Sequence, residues 1–349
     1  MRKTLFQFLT ALVLITSMSA IALAGGGSRK GTSGADELNV PVGARNSSMG
    51  GSFLAGVSGV DAIFWNPAGL SASNNSAEVM FSHTNQIGAV GTDYFALGVN
   101  FSGFGHLGFT VKSLGFGDLK LTTERTPDGT DATFTPTFVT VGITYSRALT
   151  DRIRAGVTAN LVTERISRSS ASGLAMDIGL QYQGLGGLKG LQLGVALRHL
   201  GPNMKYEGSD LYRVAEEQGT NRDPQLLKIE AAGFQLPTTL EIGMAYTTAL
   251  AELHSVTVAG TFQNNNFFDD QYRVGLEYSF RNFFYLRGGW ALAPEADDDI
   301  ETKSSYIFGG SFGAGLKYDA GDIKLGLDYG YNMSEYFDGQ HTIGLNVGF

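Results

Sequence analysis

The chain has 349 residues and no cysteine. That absence excludes disulfides, thiolate zinc sites, iron–sulfur clusters and cysteine nucleophiles. Charge is sparse as well. Asp, Glu, Lys and Arg make up 17 % of the chain, where an average soluble domain has about 25 %. Acids outnumber bases by 33 to 25, which argues against nucleic acid as a partner. Only 8 prolines occur, with no G-X-Y period, so a collagen-like rod is excluded. The five histidines, His83, His106, His199, His254 and His341, show no metal-ligand spacing. Beyond the N-terminal region no apolar run reaches the roughly 18 residues of a membrane-spanning helix.

Glycine is the residue in excess. Its 48 copies are about twice the usual share. A hydrophobic content of 43 % rules out wholesale disorder. At the N-terminus, Arg2 and Lys3 precede an apolar run from Leu5 to Ile21, closed by Ala22-Leu23-Ala24. A basic, an apolar and a small-residue region in that order read as a secretory signal over residues 1–24, outside which no lipoprotein cysteine follows.

From Ser76 onward the apolar residues recur with a period of two. In the last segment Ile343, Leu345, Val347 and Phe349 alternate with Thr342, Gly344, Asn346 and Gly348. The same pattern runs through Phe95, Leu97, Val99 and Phe101, through Leu174, Met176, Ile178 and Leu180, and through Tyr272, Val274, Leu276 and Tyr278. Period two means strand with one apolar face. Counting each such segment predicts 14 strands, and an even number suits a bacterial barrel. Connections after even strands are tight, as at 150–151, 281–282 and 319–321. Those after odd strands are mostly longer, as at 123–133, 202–236 and 294–303. Short turns at one rim and long loops at the other form the outer-membrane pattern.

A soluble β-sandwich shows the same alternation. The barrel is favoured by glycine on the polar face, by Tyr and Phe near strand ends and by the terminal Phe349. The fold expected is therefore all-β: a 14-stranded antiparallel transmembrane β-barrel over residues 76–349, with an N-terminal plug, or hatch, within residues 25–75.

With the apolar face toward lipid, the inward charges are Glu78, Asp177, Glu241, Glu277 and Asp328 against Lys112, Arg198, Arg273, Arg287, Lys317 and Lys324. Glu164, Asp322, Arg152 and Arg154 share their parity. An ion-selective pore shows a bias to one sign. A balanced set reads as a paired network holding something inside. Arg45 and Asp61 in the preceding segment are the matching pins. Asn66 before Pro67 suits an N-cap followed by proline at the first helical position, and Gly69 suits the end of a single turn.

The segment Gly43-Ala44-Arg45, then Met49-Gly50-Gly51, then Trp65-Asn66-Pro67-Ala68-Gly69 just before the first strand resembles the hatch of the FadL/PorV superfamily. It is most similar to the PorV/PorQ-like branch. The resemblance implies a 14-stranded plugged barrel in the bacterial outer membrane. For the PorV/PorQ branch it implies a non-enzymatic protein that binds exported polypeptide and partners secretion machinery of the type IX kind. For the FadL branch it implies passage of hydrophobic small molecules such as long-chain fatty acids. In strand 3 the apolar parity shifts twice around Gly115 and Gly117. A break with glycine reads as a kink, and in FadL-type barrels such a kink opens the wall laterally. The strand 5–6 connection is short, however, where FadL-type transporters carry a long helical loop. Loop 202–236 mixes Leu211, Tyr212, Val214, Leu226 and Leu227 with charges and is expected to form short helices as a cap or partner surface.

Other motifs carry no chemistry. Residues 103–108 match G-x-G-x-x-G within a strand–turn–strand, where no helix N-terminus meets a phosphate. Residues 309–313 match a nucleophile elbow inside a strand. Asp297-Asp298-Asp299 reads as a solvated charge run. No catalytic set, metal or cofactor is assigned. Outer-membrane lipid is the expected surroundings. Glycines at inward positions such as Gly156, Gly179, Gly194, Gly275 and Gly289 are expected to leave lumen volume for the plug.

Overall fold

The computed structural model describes residues 29–215, 223–293 and 308–349. The secretory signal and Asp297-Asp298-Asp299 lie outside the described residues. Fourteen strands form one antiparallel sheet: β1 (Ala77–Asn85), β2 (Gly91–Phe101), β3 (Gly105–Gly115), β4 (Thr137–Ala148), β5 (Ile153–Ile166), β6 (Ser169–Gln183) and β7 (Leu191–Leu200), then β8 (Thr239–Ala251), β9 (His254–Asn265), β10 (Gln271–Phe280), β11 (Phe284–Leu292), β12 (Phe308–Asp319), β13 (Lys324–Ser334) and β14 (Gln340–Gly348). Each pairs with the next in sequence, and β14 returns to β1 from Glu78 opposite Gly348 to Asn85 opposite His341. The sheet of the fourteen strands therefore closes on itself, as a barrel that hides its strand edges does.

The period of two is also the division between outside and inside. On β14 Ile343 and Leu345 are exposed while Thr342 and Gly344 are buried. Around the barrel Phe81, Phe109, Leu161, Val274, Leu286, Trp290 and Phe312 stand exposed on the outer surface. A soluble sandwich buries such a face. A continuous apolar exterior on a closed barrel is a lipid-facing one. Tyr246 and Met244 are exceptions, because Leu185 and Leu188 of the β6–β7 turn fold over them. At the short-turn rim Arg281 and Asn282 both take left-handed φ angles, 56° and 52°, as the twist of a tight hairpin demands.

Two expectations are corrected. The parity break near Gly115 and Gly117 does not open the wall. β3 pairs without a register shift from Gly105 to Gly115 with β2, and from His106 to Gly115 with β4. Gly117 lies beyond the strand at φ 68°. The break marks the point where the chain leaves the sheet, so alternation there no longer has two faces to obey. Among its described residues loop 202–236 forms mostly short β pieces, with one 3-10 turn at Ser209–Leu211. Met204–Lys205 pairs with Gly233–Phe234, and Tyr212–Ala215 pairs with Gln225–Lys228. β7 ends below the top of β6, and Glu207–Gly208 continues the wall there against Ser169 and Ser170.

Residues 29–75 run through the lumen. They start at the long-loop rim, where the Gly34 amide donates to the Gln235 carbonyl, and reach β1 at the short-turn rim. Two apolar clusters hold the middle of this hatch. Met49, Phe53, Val57 and Trp65 pack on Ala245 and Ala259, while Val42, Val60, Ile63 and Leu70 pack on Met80, Tyr94 and Ala96. The wall admits them because it lacks side chains at the contacts. A Cβ built on Gly289 falls 2.1 Å from the Met49 carbonyl carbon, and one on Gly156 falls 2.4 Å from the Pro67 carbonyl carbon. One on Gly194 falls 2.7 Å from Ala55 Cα.

Gly289→Ala therefore drives a methyl into hatch backbone, while the same change at inward Gly326 meets only Asn346 of the wall. Thermal unfolding followed by Trp fluorescence should show Gly289→Ala losing about 1–3 kcal/mol and Gly326→Ala much less. Equal losses would contradict the packing described.

Candidate functional site

The hatch has a deep half and an outer half. In the deep half Ala62–Trp65 makes one helical turn, and Pro67–Ala72 follows as a 3-10 helix. Asn66 lies between them with no exposed surface. Its Oδ1 accepts from the Ala68 amide at 3.2 Å, which caps the second helix, and its Nδ2 donates to the Leu180 carbonyl of β6 at 3.1 Å. Proline at the first position has no N–H to satisfy. Trp65 Nε1 donates to the Val42 carbonyl at 3.1 Å, tying the two halves together. Gly69 does not end a turn, since the helix runs on to Ala72. It is needed because a Cβ there would lie 2.2 Å from the Val57 carbonyl oxygen.

In the outer half Gly43 leads into the turn Ala44–Ser47, and Gly50 and Gly51 both take left-handed φ angles, 66° and 74°. Gly50 also passes within reach of the Trp290 backbone. Met49 is fully buried in the cluster around Trp65. Arg45 projects from this turn into the wall network. Its guanidinium donates twice to Glu277, at 3.1 and 3.0 Å. Arg287 donates to the same carboxylate at 2.6 Å and to Asp328 at 2.6 Å. Two bases and two acids from β10, β11, β13 and the hatch thus neutralise one another away from water, which a buried charge requires.

The remaining lumen charges divide by task. Glu78 accepts from the Val60 amide at 2.9 Å and from Asn75 at 2.6 Å, and also from Ser73, fixing the chain where it enters β1. Lys112 donates to the Glu37 and Val40 carbonyls, both at 2.6 Å. Asp177 accepts from Asn160 and from the His199 amide, both at 2.7 Å. Arg198 pairs with Glu241 at 2.8 Å, and Arg273 approaches the other oxygen of Glu241 at 3.9 Å. Lys324 donates to Asn75 at 2.7 Å. Lys317 lies 5.2 Å from the Tyr285 ring centroid. Asp61 forms no ion pair among the described residues and is not a pin. Burial, then the Asp328 carboxylate, pushes its carboxyl up to about 6.

Polar wall side chains that sequence reasoning did not single out also hold the hatch. Gln181 Nε2 donates to the Val57 carbonyl at 2.9 Å, Ser146 Oγ to Ala68 at 2.9 Å, Thr261 Oγ1 to Ser52 at 2.7 Å and Ser311 Oγ to Ser48 at 3.1 Å. Irregular backbone away from water must find such partners. Their one signal in sequence is an uncharged polar residue at an inward position.

Two cavities flank residues 44–51. The upper one, at the long-loop rim, measures about 420 Å³ and is bounded by Ser47, Gly50 and Gly51 together with Trp65 and Arg273. The lower one, at the short-turn rim, measures about 370 Å³ and is bounded by Arg45 and Asp61 together with Glu78, Lys317 and Lys324. No group of three His, Asp or Glu side chains is placed to hold a metal among the described residues.

The N-terminal end of the hatch carries an acid of altered strength. Glu37 is buried beside Glu164 of β5, which accepts from Tyr206 of the long loop, and Lys112 faces it from β3. Burial, then the Glu164 carboxylate, pushes the Glu37 carboxyl up to about 8. An acid raised in the docked state stabilises docking fully below its free value of 4.5, and that contribution is lost as the pH rises through about 8. Protease protection of residues 29–42 should fall from about pH 5 to about pH 9, and Glu37→Gln should flatten the fall. Separately, Arg45→Ala leaves Glu277 with one partner fewer, at a cost of about 3–5 kcal/mol to the docked hatch. Arg45→Ala should therefore expose residues 43–51 to protease at neutral pH. Unchanged protection in either variant contradicts the corresponding role.

No family model matches the sequence, and no curated protein matches it. Solved structures do match its fold. The toluene transporter TodX from Pseudomonas putida superimposes with a TM-score of 0.54 at 12 % identity, covering 86 % of this chain and 96 % of its own. The CymD monoaromatic hydrocarbon channel gives 0.52 at 13 % identity, covering 89 % and 98 %. The toluene transporter TbuX from Ralstonia pickettii gives 0.50 at 14 %, covering 87 % and 96 %. At such identities the likeness is one of architecture: this chain shares the fold of these structures, a closed barrel of fourteen antiparallel strands.

Proposed function

We propose that the chain is a channel of the FadL type in the bacterial outer membrane, admitting small molecules, with residues 43–51 of the hatch as its gate. The observation that carries this reading is the position of that segment, with one cavity opening above it and another below. The deep half of the hatch is fixed by two apolar clusters and by bonds from Gln181 and Ser146. The outer turn is held by the Arg45–Glu277–Arg287–Asp328 network, by Ser311 and by Met49, the one side chain it places in the cluster around Trp65. Releasing that network frees a path along β10–β14 without unfolding the remainder. On this reading residues 25–75 are the N-terminal segment and hatch that carry the gate, residues 76–349 are the wall, and no chemical step is performed. The fold shared with TodX and CymD supports it. A second reading, PorV/PorQ-like binding of exported polypeptide, is supported by the hatch motif and by the hairpin Tyr212–Ala215 and Gln225–Lys228, which holds Val214 and Leu226 out to solvent.

The gate can be locked. A Cβ built on Gly344 lies 3.7 Å from Ala44 Cβ, within the roughly 3.5–4.5 Å of a disulfide. With no native cysteine, Ala44→Cys and Gly344→Cys together form one defined pair. In proteoliposomes the reduced protein should pass small solutes, and oxidation should slow them by about tenfold or more, as a gate requires. Flux unaffected by oxidation would defeat the gate. Polypeptide binding without any solute flux would favour the second reading.

A further inference from the structure

Resting on the channel reading, we propose that Asp61 is the acceptor onto which Arg45 swings when residues 43–51 open, so that the gate is one arginine exchanged between two carboxylates. Asp61 stands apart from the other acids of the lumen. It sits at the entry to the helical turn Ala62–Trp65, where an aspartate ordinarily caps, yet its side chain bonds none of the helix amides. Among the described residues it forms no ion pair, while Glu277 and Asp328 are both paired. The charged groups that face it are Arg45, Lys317, Asp328 and Glu78. Asp328 is already bonded to Arg287 and Glu78 to the Val60 amide, and Lys317 lies against the Tyr285 ring. A carboxyl removed from bulk water without a partner costs stability. Asp61 belongs to the deep half of the hatch, between Val60 and Ile63 of the apolar cluster on Met80, and so cannot move to find one. The partner has to come to it.

The geometry allows Arg45 to do so. Arg45 and Asp61 border the same lower cavity, about 370 Å³ in volume. Gly43, two residues before Arg45, lies against the carboxyl: a Cβ built on it falls 3.2 Å from Asp61 Oδ1. Gly43 takes φ 81°, and Gly50 and Gly51 take 66° and 74°. The turn that carries Arg45 is thus bounded at both ends by glycine in the left-handed region, and a few such torsions can absorb a swing. The exchange leaves no acid bare. Arg287 bonds Glu277 and Asp328 at 2.6 Å each, so both keep a base when Arg45 departs. Arg45 gives up two hydrogen bonds to Glu277 and its place 5.1 Å from the Phe53 ring centroid. It gains a carboxyl that had no partner. Each position offers the guanidinium a carboxylate, which is the condition for two states of the turn to compete.

Protonation sets the balance between the two positions. Burial, then the Asp328 carboxylate, holds the Asp61 carboxyl at about 6 while Arg45 is on Glu277, and pairing with Arg45 lowers it in the open position. The open position is therefore favoured above about pH 6, and that preference is lost as the pH falls below it. Hydrogen exchange on the full-length barrel in lipid nanodiscs reads the balance as protection of residues 43–51, scaled to unfolded-chain rates at each pH. Wild-type protection should rise about tenfold from pH 7.5 to pH 5. Asp61→Asn should show the higher protection at both values, and Asp61→Glu should restore the dependence. A carboxylate that merely anchors the closed turn acts in the opposite sense, because its removal loosens the turn. Lower protection in Asp61→Asn thus overturns the proposal, and so does protection that the substitution leaves unchanged. Heat-modifiable migration on gels verifies that each variant has folded. If flux through the Ala44→Cys, Gly344→Cys protein responds to oxidation while Asp61→Asn changes nothing, the channel reading stands and the acceptor falls. Raised protection in Asp61→Asn, in a protein whose flux ignores oxidation, would uphold the exchange and sink its part in transport.

Discussion

Hatch backbone lies directly against wall backbone, and the rest of the structure depends on that approach. Where hatch backbone meets wall backbone there is no room for a wall side chain. The conflict is resolved by glycine at the contacts, on Gly156 beside Pro67, Gly194 beside Ala55 and Gly289 beside Met49. Once the backbones approach, the hatch amides and carbonyls are cut off from water. Each then needs a partner. Asn66, Gln181, Ser146, Thr261 and Ser311 provide them. The glycine excess and the scatter of inward amides and hydroxyls have one cause.

The same constraint sorts the charges. In a lumen filled this closely an unpaired charge is expensive, so several acids and bases meet in short chains while others, such as Lys112 and Asp177, bond to neutral groups. One, Arg45–Glu277–Arg287–Asp328, ties the outer turn of the hatch to three strands. Another, Arg198–Glu241–Arg273, stays within the wall beside the upper cavity. Ion pairs are the part of such an assembly whose partners an entering ligand or solvent can replace. Packed methyl and aromatic groups around Phe53 and Leu70 are not exchanged in that way. The division between a fixed deep half and a releasable outer turn follows from which kind of contact each half relies on.

Much of this was legible in the residues alone. Alternation is enforced wherever a strand has lipid on one side and lumen on the other, so the strands from Phe95, Leu174 and Ile343 were readable one residue at a time. Asn66-Pro67 declared its helix start because the cap and the proline act locally. Legibility ended where the two-faced environment ended. Past Gly115 the chain leaves the sheet, so its parity shift mimicked a kink in the wall. In loop 202–236 the apolar residues are divided between a face buried on Val162 and Ala175 and one left to solvent, a pattern without a single period. Asp61 and Arg45 looked equivalent as pins. Only three dimensions show that Arg45 reaches Glu277 while Asp61 borders the lower cavity. The partners of hatch carbonyls, Gln181 and Ser146, are set by where the backbone passes, which no local pattern records.

The central claim is that residues 43–51 open while the deep half of the hatch stays in place. Hydrogen exchange on the intact barrel in lipid nanodiscs measures this directly. The account predicts that amides of residues 43–51 exchange faster than those of residues 54–70 by at least about tenfold, as sub-global opening of one segment requires. Equal protection of the two segments, or opening of the whole hatch as one unit, would contradict it.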